Sequence, residues 1–449
     1  MINILKLYQD KYINFGAPIC VFFDITNNCN LNCFYCFSND NNLRKATDKG
    51  LSTDEIKKIL QDLNNAGTKV VEFSGGEPLL HKDFFDILHF SYKLGFIISF
   101  VSNGTLFNDE VCSKLVPLVS HINITLRGCD EDSHDKVTGI AGSYARTISS
   151  IKLLNKYGIN VGILLDPTYL NYERIYDYIS QLVEKEGVIL NSIFLNRINI
   201  RNMDNQGVEK QQYCLRSIDE YETVFEQLHK IHMKYNIFTE VEAFPMCKVN
   251  VKYHQYLTRC NYGISSASID YQGNLKMCPV SSKVLGNLKH NSIKELWNES
   301  PTINEFRSLK WINTKCRTCA DFENCGGGCY TSRPETMTYQ DDYYHEEIVY
   351  SNDSIPYINS NVIIKNMNGK AIVLFKRIVP RLLPIKKYNN ESDILEITGI
   401  EYKLLQSIDS QTCIEKLKDK FVELNDTQFD NMLISLVSRG IISVNERNE

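Results

Sequence analysis

Ile19-Cys20-Val21-Phe22-Phe23-Asp24-Ile25-Thr26-Asn27-Asn28-Cys29-Asn30-Leu31-Asn32-Cys33-Phe34-Tyr35-Cys36 is the stretch on which the fold turns. Ile19 to Ile25 is a short apolar run of the length of a buried strand. The chain then turns polar and sets three cysteines, spaced by three and then two residues, on one loop. A buried strand that empties into such a loop is the layout of parallel α/β sheets, whose chemistry sits at the C-terminal strand ends.

Outward from that stretch, strand-like and helix-like patterns alternate to about residue 245. Strands are expected at 70–73, 97–101, 122–126, 160–165 and 192–195. Helices are expected at 84–94, 109–116, 144–157 and 174–184. The first helix, 52–64, has Ser52 as its cap, Glu55 three residues later, and Ile56, Ile59, Leu60 and Leu63 on one face. Regular alternation of this kind predicts an α/β fold with a parallel sheet closed, or nearly closed, into a barrel.

The flanking chain reads differently. Residues 246–350 are irregular and Cys-rich, and a loop-rich segment with little core needs staples. Residues 351–360 look like a linker. Beyond 361, Asn368-Gly369 joins two apolar strands as a hairpin. Helices near 400–408, 413–421 and 427–439 follow. Gly440 stops the last, and a strand at 441–444 closes a winged-helix-like α+β module. The expected domains are therefore 1–245, 246–350 and 361–449.

Composition narrows the function classes. The chain has 449 residues, too many for one core. Its formal net charge is −5, which argues against a general nucleic-acid binder. No apolar run could span a bilayer and no secretory apolar core opens the chain, so a cytoplasmic protein without a membrane partner is expected. Disulfides do not persist in that compartment, so the clustering among 15 cysteines points to metal or catalysis. Isolated cysteines such as Cys20, Cys112, Cys129, Cys214 and Cys413 read as small buried hydrophobes.

Cys29, Cys33 and Cys36 can bind three irons of a cubane cluster and leave the fourth iron open. Zinc would recruit a fourth Cys or His, and the loop offers none. The spacing resembles the signature of the radical S-adenosylmethionine (SAM) superfamily, which implies a partial parallel (β/α)6 barrel and a 4Fe–4S cluster whose open iron chelates SAM. The resemblance implies that Tyr35 borders the adenine. Ser74-Gly75-Gly76-Glu77-Pro78 resembles the glycine-rich segment that hydrogen-bonds the methionine ammonium, and Ser102-Asn103-Gly104 resembles the segment that contacts the ribose. His134-Asp135 and Gly142-Ser143-Tyr144 match the subgroup's pattern. Arg127-Gly128 stands where the family commonly has Asp-Gly.

Cys316, Cys319, Cys325 and Cys329 form a second compact group, with Cys260 and Cys278 upstream. Alone, the four could hold structural zinc. After a barrel of this type they resemble the SPASM extension with two auxiliary 4Fe–4S clusters. The resemblance assigns Cys260, Cys278 and Cys329 to the first and Cys316, Cys319 and Cys325 to the second. The usual final Cys is missing, since none lies between Cys329 and Cys413. The second cluster is left to Asp341, Asp342 or His345, to another ligand, or to an incomplete set, and Cys247 is a candidate for the first.

The C-terminal module resembles the PqqD-like domain that recognises precursor peptides by adding a leader strand to its hairpin edge. Together the resemblances imply an oxidoreductase that uses a 5′-deoxyadenosyl radical to install a thioether or carbon–carbon crosslink in a ribosomally made peptide. They imply the precursor peptide and a low-potential donor such as ferredoxin or flavodoxin as partners. An anaerobic sulfatase-maturing enzyme and, from another class, a zinc-stapled winged-helix regulator stay open. No general base can be named from the sequence.

Overall fold

The computed structural model describes residues 16–36, 50–197, 213–215, 217–308, 311–312, 316, 322–332, 355–358, 362–367, 370–376, 392–397, 399–409, 411–438 and 442–445. Cys319, Asp341, Asp342, His345 and Gly440, named above, lie outside these residues. The chain divides into two compact units. The first holds 1–242, 261–312 and 330–340, and the second holds 243–260, 313–329 and 341–449.

In the first unit the strands are β1 (Cys20–Thr26), β2 (Val70–Gly75), β3 (Ile97–Ser102), β4 (His121–Leu126), β5 (Val161–Leu165), β6 (Ser192–Leu195) and β7 (Phe238–Glu242). Each pairs in parallel with the next. Between them run α1 (Thr53–Ala66), α2 (Phe84–Lys93), α3 (Asp109–Leu115), α4 (Glu131–Thr138), α5 (Ser143–Lys156), α6 (Ile175–Glu184) and α7 (Ile218–Tyr235). The sheet is open: on its other side β1 pairs with a later strand, Ser266–Ile269, rather than with β6 or β7.

The period-two alternation of β1 sorts its residues. Val21, Phe23 and Ile25 are almost fully buried and share one face, while Asp24 and Thr26 share the other. The same alternation gives the inner face of the sheet a polar lining of Glu72, Ser74, Ser99, Asn123 and Thr125, all buried. α1 has the expected capping box between Ser52 and Glu55, and it buries Ile56, Ile59, Leu60 and Leu63. Such a cap contributes about 1 kcal/mol.

The segment read as irregular is more ordered than expected. After the short β8 (Leu257–Thr258) of the second unit, β9 (Ser266–Ile269), β10 (Asn274–Lys276) and β11 (Val284–Asn287) extend the sheet beyond β1. α8 (Ile293–Glu299) and α9 (Pro301–Arg307) follow. Ile293 N–H donates to Asp62 of α1 at 2.7 Å, which ties this extension to the barrel helices.

In the second unit α10 (Phe322–Cys325) carries one of the clustered cysteines. The C-terminal module has the hairpin of β13 (Val362–Met367) and β14 (Lys370–Lys376), with Met367 opposite Lys370. It also has α11 (Gly399–Ser407), α12 (Ile414–Lys418) and α13 (Asp426–Ser438). Two features differ from the expectation. β15 (Ser392–Ile397) adds a third strand on β14, so β14 is central. The linker residues contain β12 (Ile355–Ile358), which pairs antiparallel with β16 (Ile442–Asn445). Leu404, Leu405, Leu417, Phe421, Phe429 and Leu433 form the core, and Val251 packs into the same cluster.

Candidate active site

The cluster loop leaves β1 and is fastened on two sides. On the first, Gly76 N–H donates to Thr26 O at 2.8 Å and Glu77 N–H to Asn28 O at 2.7 Å. This explains the two glycines. A Cβ on Gly75 would lie 2.1 Å from Thr26 O, and one on Gly76 would lie 2.1 Å from Asn28 O. Gly75 also has φ +134°, which side-chain-bearing residues rarely adopt. The glycine pair therefore lets two backbones touch.

On the second side, Asn32 N–H donates to Thr138 O at 2.8 Å and Phe34 N–H to Val137 O at 3.1 Å. These are carbonyls in the last turn of α4, which an intrahelical ladder leaves free. α4 is held at its start by Asp130, which caps Ser133, and at its end by Gly139 in the left-handed region. Asp135 of α4 accepts from the Gly142 and Tyr144 amides and the Ser143 hydroxyl, which starts α5. His134 is fully buried and its Nδ1 accepts the Arg127 amide at 3.3 Å. Burial, aided by Arg127, lowers its pKa to about 4, so the ring is neutral. The two short motifs singled out in the sequence, His134-Asp135 and Gly142-Ser143-Tyr144, are thus one scaffold beneath the cysteines.

Cys29, Cys33 and Cys36 are all half-buried on this loop. Leu31 N–H points at Cys29 Sγ at 3.4 Å, and the Asn103 amide reaches the same sulfur at 3.8 Å. Donors aimed at a sulfur favour the thiolate that ligation requires. Three thiols on one loop, with donors already trained on one of them, fit a cubane that keeps an open iron. Asn103 also donates to Asn30 Oδ1 at 2.9 Å, and Asn30 in turn donates to Thr105 Oγ1 at 2.8 Å. The segment expected beside the ribose is therefore bound to the cluster loop through Asn103.

Glu77 is fully buried, and its carboxylate accepts Ser102 Oγ at 2.9 Å, Asn103 N–H at 2.8 Å and Leu79 N–H at 3.3 Å. Burial raises its pKa to about 7 against those hydrogen bonds. Its oxygens hold the end of β3, and through Asn103 the cluster loop.

Tyr35 is buried against Val137 and Cys214. Its hydroxyl donates to Asp166 Oδ2 at 3.2 Å, and the Arg127 guanidinium lies over its ring, 5.3 Å from the centroid. Arg127 and Asp166 form an ion pair, with side chains 21% and 7% exposed. They follow β4 and β5, whose ends pair at Leu126 and Leu165.

Asp24 completes the inner face. It stands opposite Ser74 on β2, and its Oδ1 is buried without a hydrogen-bond partner among the described residues. Burial pushes its carboxyl up to about 7; Lys276 and the Ser74 hydroxyl oppose the rise and Asp270 adds to it. Asp24, Asp166 and the role of Arg127 were not read from the sequence. One signal was present: Asp24 is the only charge in an otherwise apolar strand.

The auxiliary cysteines fall in both units, with Cys278 in the first and Cys260, Cys316, Cys325 and Cys329 in the second. All five are half-buried. Within the second unit Cys325 Sγ accepts Met246 N–H at 3.4 Å. Among the described residues no three His, Cys, Asp or Glu side chains converge on a single metal ion. Nor is any described helix long and apolar enough to cross a membrane.

Comparison with known proteins agrees with this geometry. Residues 23–182 match the Radical SAM superfamily, and residues 260–320 match SPASM, an iron-sulfur cluster-binding domain. Among curated relatives, the "AdoMet-dependent heme synthase" of Methanosarcina barkeri is 24% identical, over 74% of this chain and 96% of its own. The "PqqA peptide cyclase" of Bradyrhizobium diazoefficiens is 24% identical, over 73% and 85%. Among solved structures, Streptococcus suis SuiB bound to S-adenosylmethionine has a TM-score of 0.59 at 18% identity, over 76% of this chain and 79% of that one. SuiB bound to precursor peptide SuiA gives 0.61 at 16% identity, over the same shares. The chain thus carries a radical SAM domain and a SPASM iron–sulfur domain, and its cofactors are 4Fe–4S clusters and SAM. This displaces the zinc-stapled regulator.

Proposed function

We propose that the enzyme modifies a ribosomally made precursor peptide, closing a thioether or carbon–carbon crosslink. The observation that carries the reading is the C-terminal module. Its order β13-β14-β15 leaves β13 and β15 as outer strands, and a leader peptide added to either would gain main-chain hydrogen bonds. A peptide cyclase among the relatives and a peptide-bound structure among those sharing the fold support it.

In this reading Cys29, Cys33 and Cys36 hold the SAM-binding cluster. Cys260, Cys278 and Cys329 serve one auxiliary cluster, and Cys316, Cys319 and Cys325 the other. When bound, the first cluster supplies the electron that splits SAM into methionine and a 5′-deoxyadenosyl radical. Tyr35 borders the adenine, while Gly75, Gly76, Glu77, Ser102 and Asn103 shape the floor on which SAM lies. The radical would carry off one hydrogen atom; Asp24, on the inner face of the sheet with a carboxyl near neutrality, is the group suited to take the proton that a crosslink then releases, and the auxiliary clusters would take the electron left over.

Co-expression with a short open reading frame encoded beside the gene, read by mass spectrometry, tests the proposal. A product lighter by two hydrogens supports the crosslink, and an unchanged peptide counts against it. One observation favours a second reading. One relative, matched over 96% of its own length, is named a heme synthase, so a porphyrin-class substrate is the alternative, tested by the absorption spectrum of a porphyrin after turnover.

A further inference from the structure

We infer that Arg127, clamped by Asp166 and laid over Tyr35, is a fixed cation that sets the reduction potential of the cluster held by Cys29, Cys33 and Cys36. The inference rests on those three cysteines being the ligands.

Three observations carry it. First, the ion pair is poorly explained by stability. Desolvating two charges costs about as much as their attraction returns, and well-packed apolar residues would serve a core at least as well. Second, the guanidinium is only partly used. Asp166 takes one of its ends, while Nε is buried with no hydrogen-bond partner among the described residues. The Tyr35 hydroxyl holds Asp166 in place at 3.2 Å, and the Tyr35 ring supports the cation from below. Third, Tyr35, whose ring the guanidinium covers, lies between Cys33 and Cys36 on the cysteine loop, so the cation sits beside the loop that would hold the cluster. A fixed charge so placed acts on the thiolates of that loop through a poorly screened interior. The residue stands where the resemblance expected an acidic one, so the local charge is inverted.

The sign follows from the electron count. One-electron reduction by a low-potential donor adds one negative charge to the cluster and its thiolates, with no bond made or broken and no proton moved. A nearby cation favours the reduced form and raises the potential, and a nearby anion lowers it. Arg127 and Asp166 therefore pull in opposite directions.

The test is an EPR-monitored redox titration of the full, anaerobically reconstituted chain without SAM. The relevant signal is the one lost in the Cys29→Ala/Cys33→Ala/Cys36→Ala variant. Arg127→Gln should lower the midpoint by a tenfold change in the reduction equilibrium, which is 59 mV for one electron. Asp166→Asn should raise it, Arg127→Lys should recover at least half of the loss, and the Arg127→Gln/Asp166→Asn pair should fall between the singles. An unmoved midpoint in Arg127→Gln overturns the inference. So do shifts of the same sign in Arg127→Gln and Asp166→Asn, or an Arg127→Lys shift as large as that of Gln. If Arg127→Gln takes up no iron, Asp166→Asn decides alone, and a midpoint that stays or falls overturns it. A signal that survives in the triple Cys variant shows instead that the ligand assignment is wrong.

Discussion

Gly76 and Asn28 touch backbone to backbone: a Cβ on Gly76 would lie 2.1 Å from the Asn28 carbonyl oxygen and 2.4 Å from its carbonyl carbon. Neither residue is a ligand, yet the contact fixes where the cysteine loop begins. Gly76→Ala must push the loop away and weaken the Glu77-to-Asn28 hydrogen bond. We expect a loss of roughly 2–4 kcal/mol of stability, as for other backbone clashes. Iron bound after reconstitution should fall with it. Gly95→Ala, with φ +84° and open space around it, should strain its turn but leave iron content unchanged.

Glu77 is expected to act on the cluster at one remove. Glu77→Gln keeps the volume but replaces one accepting oxygen with an amide NH2, and the one oxygen left cannot accept from both Ser102 and Asn103. The cost should be about 1–3 kcal/mol, that of leaving a buried donor unpaired. SAM affinity by equilibrium dialysis should weaken severalfold, because Asn103 loses its anchor.

Asp24 gives a signed pH dependence. Its folded pKa, about 7, lies above the ordinary value of 3.8, so the native state holds a proton that the unfolded chain releases. Stability from this group is complete below about 4 and is lost as pH rises through 7. Glu77 has the same sign. Asp24→Asn should therefore melt higher than the parent at pH 8, by a few degrees for a difference of about 1–2 kcal/mol. The gap should narrow toward pH 6, and anaerobic melts across that range would show it. A parent that gains stability from pH 6 to 8 while Asp24→Asn does not would contradict the assignment.

The three loop cysteines give the plainest test of the chemistry. Cys29→Ala/Cys33→Ala/Cys36→Ala should lose one cubane's worth of iron and retain the remainder. It should release no 5′-deoxyadenosine under dithionite, measured by chromatography.

Much of the barrel was legible because its signals are local. The Ser52/Glu55 box and the apolar runs of β1 to β6 depend on neighbours in sequence, and each element appears within a residue or two of expectation. α4 was missed because Glu131–Thr138 is almost wholly polar and owes its helix to Asp130 and Gly139 at its ends. Arg127 was noticed only as a departure, since its meaning depends on Asp166, a strand away, and on Tyr35 from the first loop. The glycine pair was found, but its packing against Thr26 and Asn28 was not, because the sequence does not say which backbone a glycine lets approach. The supposed linker before 361 hides β12, whose pairing partner is the final strand.

That last pairing has a consequence for how the protein is made. β12 closes against Ile442–Asn445, and Val251 packs among side chains of α11 to α13. The second unit, with Cys260, Cys316, Cys325 and Cys329, thus draws on chain from both ends of its span. Units of this kind fold as wholes, and early segments wait for late ones during synthesis. Almost the entire polypeptide will have been synthesised before these four cysteines reach their final surroundings, whereas β1 to β7 of the first unit emerge much sooner. Iron uptake is accordingly expected to be staged, with the loop of Cys29, Cys33 and Cys36 competent before the four cysteines of the second unit.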